Sequence, residues 1–189
     1  MKYLFIFDCF GVICSEIAPI WLGRHFEEHL VPEIKERFFA DADQGKGDLD
    51  TLIKGLAQEL GFSEEEIRRE WAEIFSLNVE LVEYIKTLHK EHYLALLSNA
   101  PKGLVERIFD HFRLESLFDQ IFISSHYYMA KPNPEFYQKC IDAFPKDYDR
   151  AFMIDDNLRN LQGLEELSIT PIHYLTNDRL FSEIERFMK

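Results

Sequence analysis

The 189-residue sequence predicts an α/β fold: a parallel sheet with helices on both faces and an all-helical segment inserted after the first strand. Four short, almost uninterrupted apolar runs have the length and composition of buried strands, and amphipathic helical patterns lie between most of them. Strand and helix in alternation argue for a parallel sheet covered on both sides. One long stretch breaks the alternation with consecutive helices and no strand, which marks it as an insertion.

The first strand is "YLFIF" (3–7), and its apolar run ends at a lone carboxylate, Asp8. From about residue 15 to 88 the chain reads as helical. "PEIKERFFA", "LDTLIKGLAQEL" and "SEEEIRREWAEIF" carry apolar residues at helical spacing, and Ser63 with Glu66 forms a capping box. "GKGD" (45–48) is a turn and N-cap signal between two of these helices. The chain re-enters the sheet with "YLALL" (93–97), followed by a helix over "KGLVERIFDHF" (102–112). A third strand, "QIFIS" (120–124), precedes the helix "PEFYQKCIDAF" (134–144). "AFMI" (151–154) is the fourth strand, "NLQGLEEL" (160–167) a helix, and "TPIHYL" (170–175) a weaker fifth strand. The expected division is a Rossmann-like core over 1–14 and 89–189, and a helical subdomain over 15–88 whose last helix returns to the core.

Composition bounds the function. Thirty-four acidic against 21 basic residues leave a formal net charge of −13, which repels nucleic-acid backbones and anionic membrane surfaces. No run reaches the roughly 18 uninterrupted apolar residues of a membrane span. Three cysteines, Cys9, Cys14 and Cys140, lack paired zinc-site spacing and fit a disulfide framework poorly. The apolar start is broken by Asp8 and has no cleavage-site pattern, so a signal peptide is not expected and the cytoplasm is the expected compartment. "HFEEH" (25–29) places two histidines four apart, but Phe26 stands where HExxH needs glutamate; a solvated face is the expectation.

In an open parallel sheet, ligands bind beyond the carboxyl ends of the strands. Asp8 follows the first strand, Ser98 and Asn99 the second, and Asp155 and Asp156 the fourth, while Lys131 lies in the loop after the third. An aspartate is ionised at neutral pH by its reference pKa of about 3.9 and can act as a nucleophile. Three crowded carboxylates would repel one another and an anionic substrate; a hard divalent cation, Mg²⁺ above all, relieves both repulsions. A lysine, a serine hydroxyl and backbone N–H groups would bind the remaining phosphate oxygens. Cys9, next along the strand, points to the opposite face and is expected in the core.

With "FDCFGVI", "LLSNA", "KPNPEFY" and "MIDDNLRN" in this order, the sequence resembles the haloacid dehalogenase (HAD) superfamily of hydrolases, with a helical cap inserted after the first strand. The last motif and its sequel resemble especially the branch of sugar-phosphate phosphatases and dehalogenase-like proteins. The resemblance implies Asp8 as nucleophile, with Asp8, the Phe10 backbone carbonyl and Asp156 as Mg²⁺ ligands and Asp155 assisting directly or through water. It implies Ser98, Asn99 and Lys131 at the phosphate of a small phosphomonoester. Phe10 departs from the pattern, since most phosphatases of the family carry a second aspartate there as general acid and base. Such a group is worth about 10²–10⁴ in rate, or roughly 3–5 kcal/mol of barrier. The 2-haloacid dehalogenases also lack that acid and need no metal. A third reading keeps the fold as a phosphate-ligand binding or regulatory protein with weak or no turnover.

Overall fold

The computed structural model describes residues 1–188; Lys189, the last residue of the expected core segment, lies outside them. The chain runs β1 (Tyr3–Phe7), α1 (Ala18–His25), α2 (Val31–Asp43), α3 (Leu49–Leu60), α4 (Glu64–Ile74), α5 (Val79–Leu88), β2 (Tyr93–Ser98) and α6 (Leu104–Phe112). It continues through β3 (Gln120–Ile123), α7 (Ser124–Tyr127), α8 (Pro134–Asp142), β4 (Arg150–Asp155), β5 (Ile169–His173) and α9 (Asn177–Met188). The five strands form one parallel sheet in the order β3-β2-β1-β4-β5.

The strands are apolar on both faces because both are covered. Tyr3, Phe5 and Phe7 of β1 pack with Leu94 and Leu96 of β2 and Phe152 and Ile154 of β4 against α5, α6 and α9. Leu4 and Ile6 pack with Ala95, Leu97, Ala151 and Met153 against α8 on the other side. A slip of one residue would exchange the two sets, so the interlocking sizes of these side chains fix the register. At about 25 cal/mol per Å² of apolar surface, burial of this double core is the dominant favourable contribution to folding.

Helices α1–α4 gather around a third apolar cluster, centred on Trp21, Leu56, Ile67 and Trp71. Ser63 caps α4 in a reciprocal box with Glu66, as the sequence implies. Helix α5 belongs by packing to the sheet, through Leu81, Val82, Ile85 and Leu88.

One expected element takes a different form. The stretch read as a helix over 160–167 is two short 3₁₀ turns, Leu158–Leu161 and Leu164–Leu167. Gly163 between them has φ +74°, a left-handed conformation that interrupts any continuous helix.

The strand order places the site. The chain leaves β1 toward β2 and β3 on one side and builds β4 and β5 on the other, so the connections diverge between β1 and β4 and open a crevice there. Phe7 is paired with Ile154, and Asp8 continues the ladder by donating its N–H to the Ile154 carbonyl at 2.9 Å. Asp8 and Asp155 therefore emerge side by side.

Candidate active site

Asp8 is 7% exposed, and Lys131 and Asp155 are more deeply buried still. The Lys131 ammonium lies 2.9 Å from Asp8 Oδ1 and 2.7 Å from Asp155 Oδ2, bridging the two carboxylates. Asp8 Oδ1 also accepts the Cys9 N–H at 2.7 Å. Asp155 is saturated: Oδ1 accepts the Asn157 N–H at 2.8 Å, and the Asn160 amide donates to both oxygens at 3.1 Å. Asn160 is fixed in turn by the Tyr137 hydroxyl, which donates to its carbonyl at 2.6 Å. A buried charge is tolerable only when paired and hydrogen-bonded, and this network meets both conditions for Lys131 and Asp155.

Lys131 reaches the crevice because its backbone is clamped. Asn99 Oδ1 accepts the Lys131 N–H at 2.8 Å, and Asn99 Nδ2 donates to the Lys131 carbonyl at 3.0 Å. Asn99 thus ties the end of β2 to the lysine loop while still lining the cavity. Ser98, the last residue of β2, is fully buried, and its Oγ has no hydrogen-bond partner among the described residues. An unpaired buried hydroxyl costs free energy unless a ligand or water satisfies it.

Asp156 lies over Gly11. At φ +80° this glycine has no side chain to obstruct, and a Cβ there would stand 2.3 Å from Asp156 Oδ2. The Asp156 carbonyl is held by the His173 ring at 3.0 Å. The Phe10 side chain packs against both the sheet core and the helical cluster, and its carbonyl accepts none of the described backbone hydrogen bonds outside regular helices and strands. Cys9, two residues beyond β1, is fully buried in the sheet core on the side that carries Phe5 and Phe7, as the strand alternation implies.

Carboxylate oxygens of Asp8, Asp155 and Asp156 come within 4.8 Å of one another. Three carboxylates against the one Lys131 ammonium leave two negative charges, which matches a divalent cation with oxygen ligands. The electrostatic surroundings of the carboxylates point the same way. Burial pushes the Asp8 carboxyl well above its usual range, with Asp155 and Asp156 adding to the effect and Lys131 opposing it. Burial, with Glu16 and Asp155, pushes Asp156 up to about 6. Burial disfavours the Lys131 charge, but Asp8 and Asp155 outweigh it and hold its pKa above the ordinary value. A cation beside Asp8 and Asp156 would favour their ionised forms.

These groups open into a cavity of about 450 Å³. Asp8, Phe10, Asn99, Lys131 and Asp156 form its floor, and α2 and its neighbours supply Glu16, Lys35, Phe39, Asp43 and Trp71 from the other side. The volume suits a small molecule. The two histidines of "HFEEH" take no part: His25 pairs with Glu70 and packs on Phe62, and His29 is exposed. Sequence reasoning did not identify the contributions of Asn160 or of the upper wall. Asn160 lies within the quoted "MIDDNLRN", whereas the wall residues are gathered only by helix packing.

A family model for the haloacid dehalogenase-like hydrolases matches residues 4–167. A HAD-family enzyme of Bacteroides thetaiotaomicron shares the fold with a TM-score of 0.76 at 21% identity, over 96% of this chain and 98% of that one. The same enzyme has been crystallised in complex with magnesium and inorganic phosphate, a structure that matches with a TM-score of 0.74 at 20% identity over 96% of this chain and 99% of that one. The L-2-haloacid dehalogenase of Xanthobacter autotrophicus, with chloropropionic acid covalently bound, matches at 0.65 and 15% identity, over 98% and 83% of the two chains. The order of motifs, the parallel sheet and the family match agree: the chain belongs to the haloacid dehalogenase-like hydrolases.

Proposed function

We propose that this hydrolase is a Mg²⁺-dependent phosphatase of a small phosphomonoester, working through an aspartyl-phosphate at Asp8. The observation that carries the reading is the acidic trio around a single buried lysine, which pairs with Asp8 and Asp155 and leaves Asp156 unpaired among the described residues, so that two negative charges remain for a divalent cation. Asp8, Asp156 and the Phe10 carbonyl would hold the metal. Asp155, with both oxygens committed, would reach it only through water and chiefly fixes Lys131. The bound cation would supply Lewis-acid stabilisation of phosphate charge and keep Asp8 ionised.

The protein's own groups account for the rest. Asp8, oriented by Lys131 and by the Cys9 N–H, presents a carboxylate oxygen to phosphorus. Lys131 and the otherwise unpaired Ser98 hydroxyl would bind the equatorial oxygens, and Asn99, on the cavity wall, would donate its remaining amide hydrogen to the same ligand. Helices α1–α4 act as the cap, closing over substrate and excluding bulk water, with β1, α5 and the elements from β2 onward as the catalytic core. Magnesium and phosphate in the Bacteroides enzyme support this assignment. Its setting is the cytoplasm, in keeping with three buried free cysteines.

Dehalogenation of a 2-haloacid is the second reading. Phe10 favours it, because halide leaves without a proton, and so does the fold shared with the Xanthobacter dehalogenase. Asp156, held over Gly11 next to Asp155, favours the metal-dependent reaction. Phosphate release from a panel of small phosphomonoesters, with and without Mg²⁺ and with Asp8→Asn as the blank, tests the assignment. Metal-dependent release lost in Asp8→Asn supports it; halide release from 2-haloacids that is indifferent to chelation overturns it.

A further inference from the structure

Transfer of a phosphoryl group to Asp8 expels an alkoxide unless something protonates it, and Phe10 offers no proton. The Phe10 ring is committed to packing between the sheet core and the helical cluster. The opposite wall of the cavity carries an acid in its place. Asp43, the last residue of α2, lines the same cavity as Asp8, Phe10 and Lys131, and none of the described hydrogen bonds or ion pairs engages its carboxylate.

The chain just after Asp43 is pinned to the sheet domain. Gly45, at φ +79°, approaches so closely that a Cβ there would lie 2.4 Å from the Ser125 carbonyl oxygen. The Leu49 N–H donates to the Lys102 carbonyl at 3.0 Å, and Asp50 pairs with Arg107 at 3.0 Å. These ties hold the end of α2 over the crevice.

We propose that Asp43 is the general acid and base of this enzyme, delivered by the helical cap in the place of the acid missing at Phe10. The proposal rests on the phosphatase reading above. In the first step an Asp8 oxygen bonds to phosphorus and the bond from phosphorus to the ester oxygen breaks. The electron pair freed on that oxygen takes the Asp43 proton, and the alcohol leaves. In the second step water oxygen bonds to phosphorus while Asp43 takes a water proton and the bond from phosphorus to Asp8 breaks. Inorganic phosphate departs, Asp8 is again a carboxylate and Asp43 again an acid.

The surroundings of Asp43 suit both roles. Burial pushes its carboxyl up to about 7, with Glu16 and Glu36 adding to the effect and Lys35 and Lys131 opposing it. Asp8, Asp156 and Arg159 are the other charged groups on the cavity wall. A group poised near the working pH supplies both the protonated and the ionised form.

The test compares wild type, Asp43→Asn and Asp43→Glu on an alkyl phosphate and on p-nitrophenyl phosphate, whose leaving group needs no proton. Asp43→Asn is expected to lower kcat/KM for the alkyl ester by about 10²–10⁴. It should leave the pre-steady-state burst of p-nitrophenol largely intact, and the burst amplitude counts correctly folded sites. The fall in kcat/KM for the alkyl ester as pH rises through about 7 should vanish in Asp43→Asn and persist in Asp43→Glu. Phe10→Asp added to Asp43→Asn should restore part of the alkyl ester rate. An equal loss on both substrates, or an unchanged pH profile in Asp43→Asn, overturns Asp43 as the acid while Asp8-dependent phosphatase activity stands. Absence of Asp8-dependent phosphate release from wild type overturns the phosphatase reading and the proposal together.

Discussion

Replacing Lys131 by methionine tests the central electrostatic device of the fold. The side chain has no exposure, and its ammonium is shared between Asp8 at 2.9 Å and Asp155 at 2.7 Å. Methionine fills nearly the same volume, so the cavity contribution is small and the charge contribution dominates. Removing one partner of a buried ion pair costs about 3–5 kcal/mol, because the other charge is left buried without compensation. For a chain of this length each kcal/mol lowers Tm by about 2–4 °C, so the expected loss is about 6–20 °C. The assay is thermal and urea unfolding of metal-free protein, followed by circular dichroism. Adding Asp155→Asn to Lys131→Met should recover part of the loss, since one uncompensated carboxylate goes with it. A Lys131→Met protein within about 1 kcal/mol of wild type, the scale of an exposed pair, would refute the reasoning.

Three further outcomes are expected. Gly11→Ala places a Cβ 2.3 Å from Asp156 Oδ2 at φ +80°; it should cost roughly 1–2 kcal/mol for the left-handed backbone alone and weaken Mg²⁺ binding, which calorimetry reads directly. Mg²⁺ at 100 times its Kd should stabilise the wild type by about 2.7 kcal/mol, and Asp156→Asn should abolish most of that shift in a melting experiment. The raised pKa of Asp43 means that the native state keeps this proton to higher pH than the unfolded chain does. Its contribution therefore lowers stability as pH rises from about 4 to about 7. Asp43→Asn should match wild type near pH 4 and be the more stable protein at pH 8; parallel stability curves across that range would contradict the assignment.

The sheet and the floor of the site were legible in the sequence because a buried parallel strand is apolar on both faces and its end is marked by the first polar residue. Asp8, Ser98 and Asp155 each end or follow such a run, and the register of β1 against β4 brings the two aspartates together. Lys131 was legible as a motif, but its position depends on the Asn99 clamp, a contact between segments 32 residues apart. The upper wall was not legible. Glu16, Lys35 and Asp43 look like ordinary charges of solvated helix faces, and only the packing of α1–α4 around Trp21 and Trp71 turns them toward the crevice. The two 3₁₀ turns after β4 were misread as one helix because helical spacing over eight residues outweighed a single glycine.

Phe10 has a structural explanation as well. Its side chain joins the sheet core to the helical cluster, and an aspartate at that position would forgo this packing. Such an exchange fits a protein in which the proton comes from the cap and the backbone carbonyl of residue 10 is kept for the metal.

The most direct test of an aspartyl-phosphate at Asp8 is a single turnover in heavy-oxygen water, quenched in acid and read by mass spectrometry of the peptide containing Asp8. The account predicts a phosphoryl group on that peptide in the quenched intermediate, with heavy oxygen in the released phosphate and none in the Asp8 carboxylate. No phosphorylated peptide from a phosphomonoester, together with heavy oxygen in the Asp8 carboxylate after turnover of a 2-haloacid, would show attack of water on the carbon of an aspartyl ester and contradict the phosphatase reading in favour of the dehalogenase chemistry.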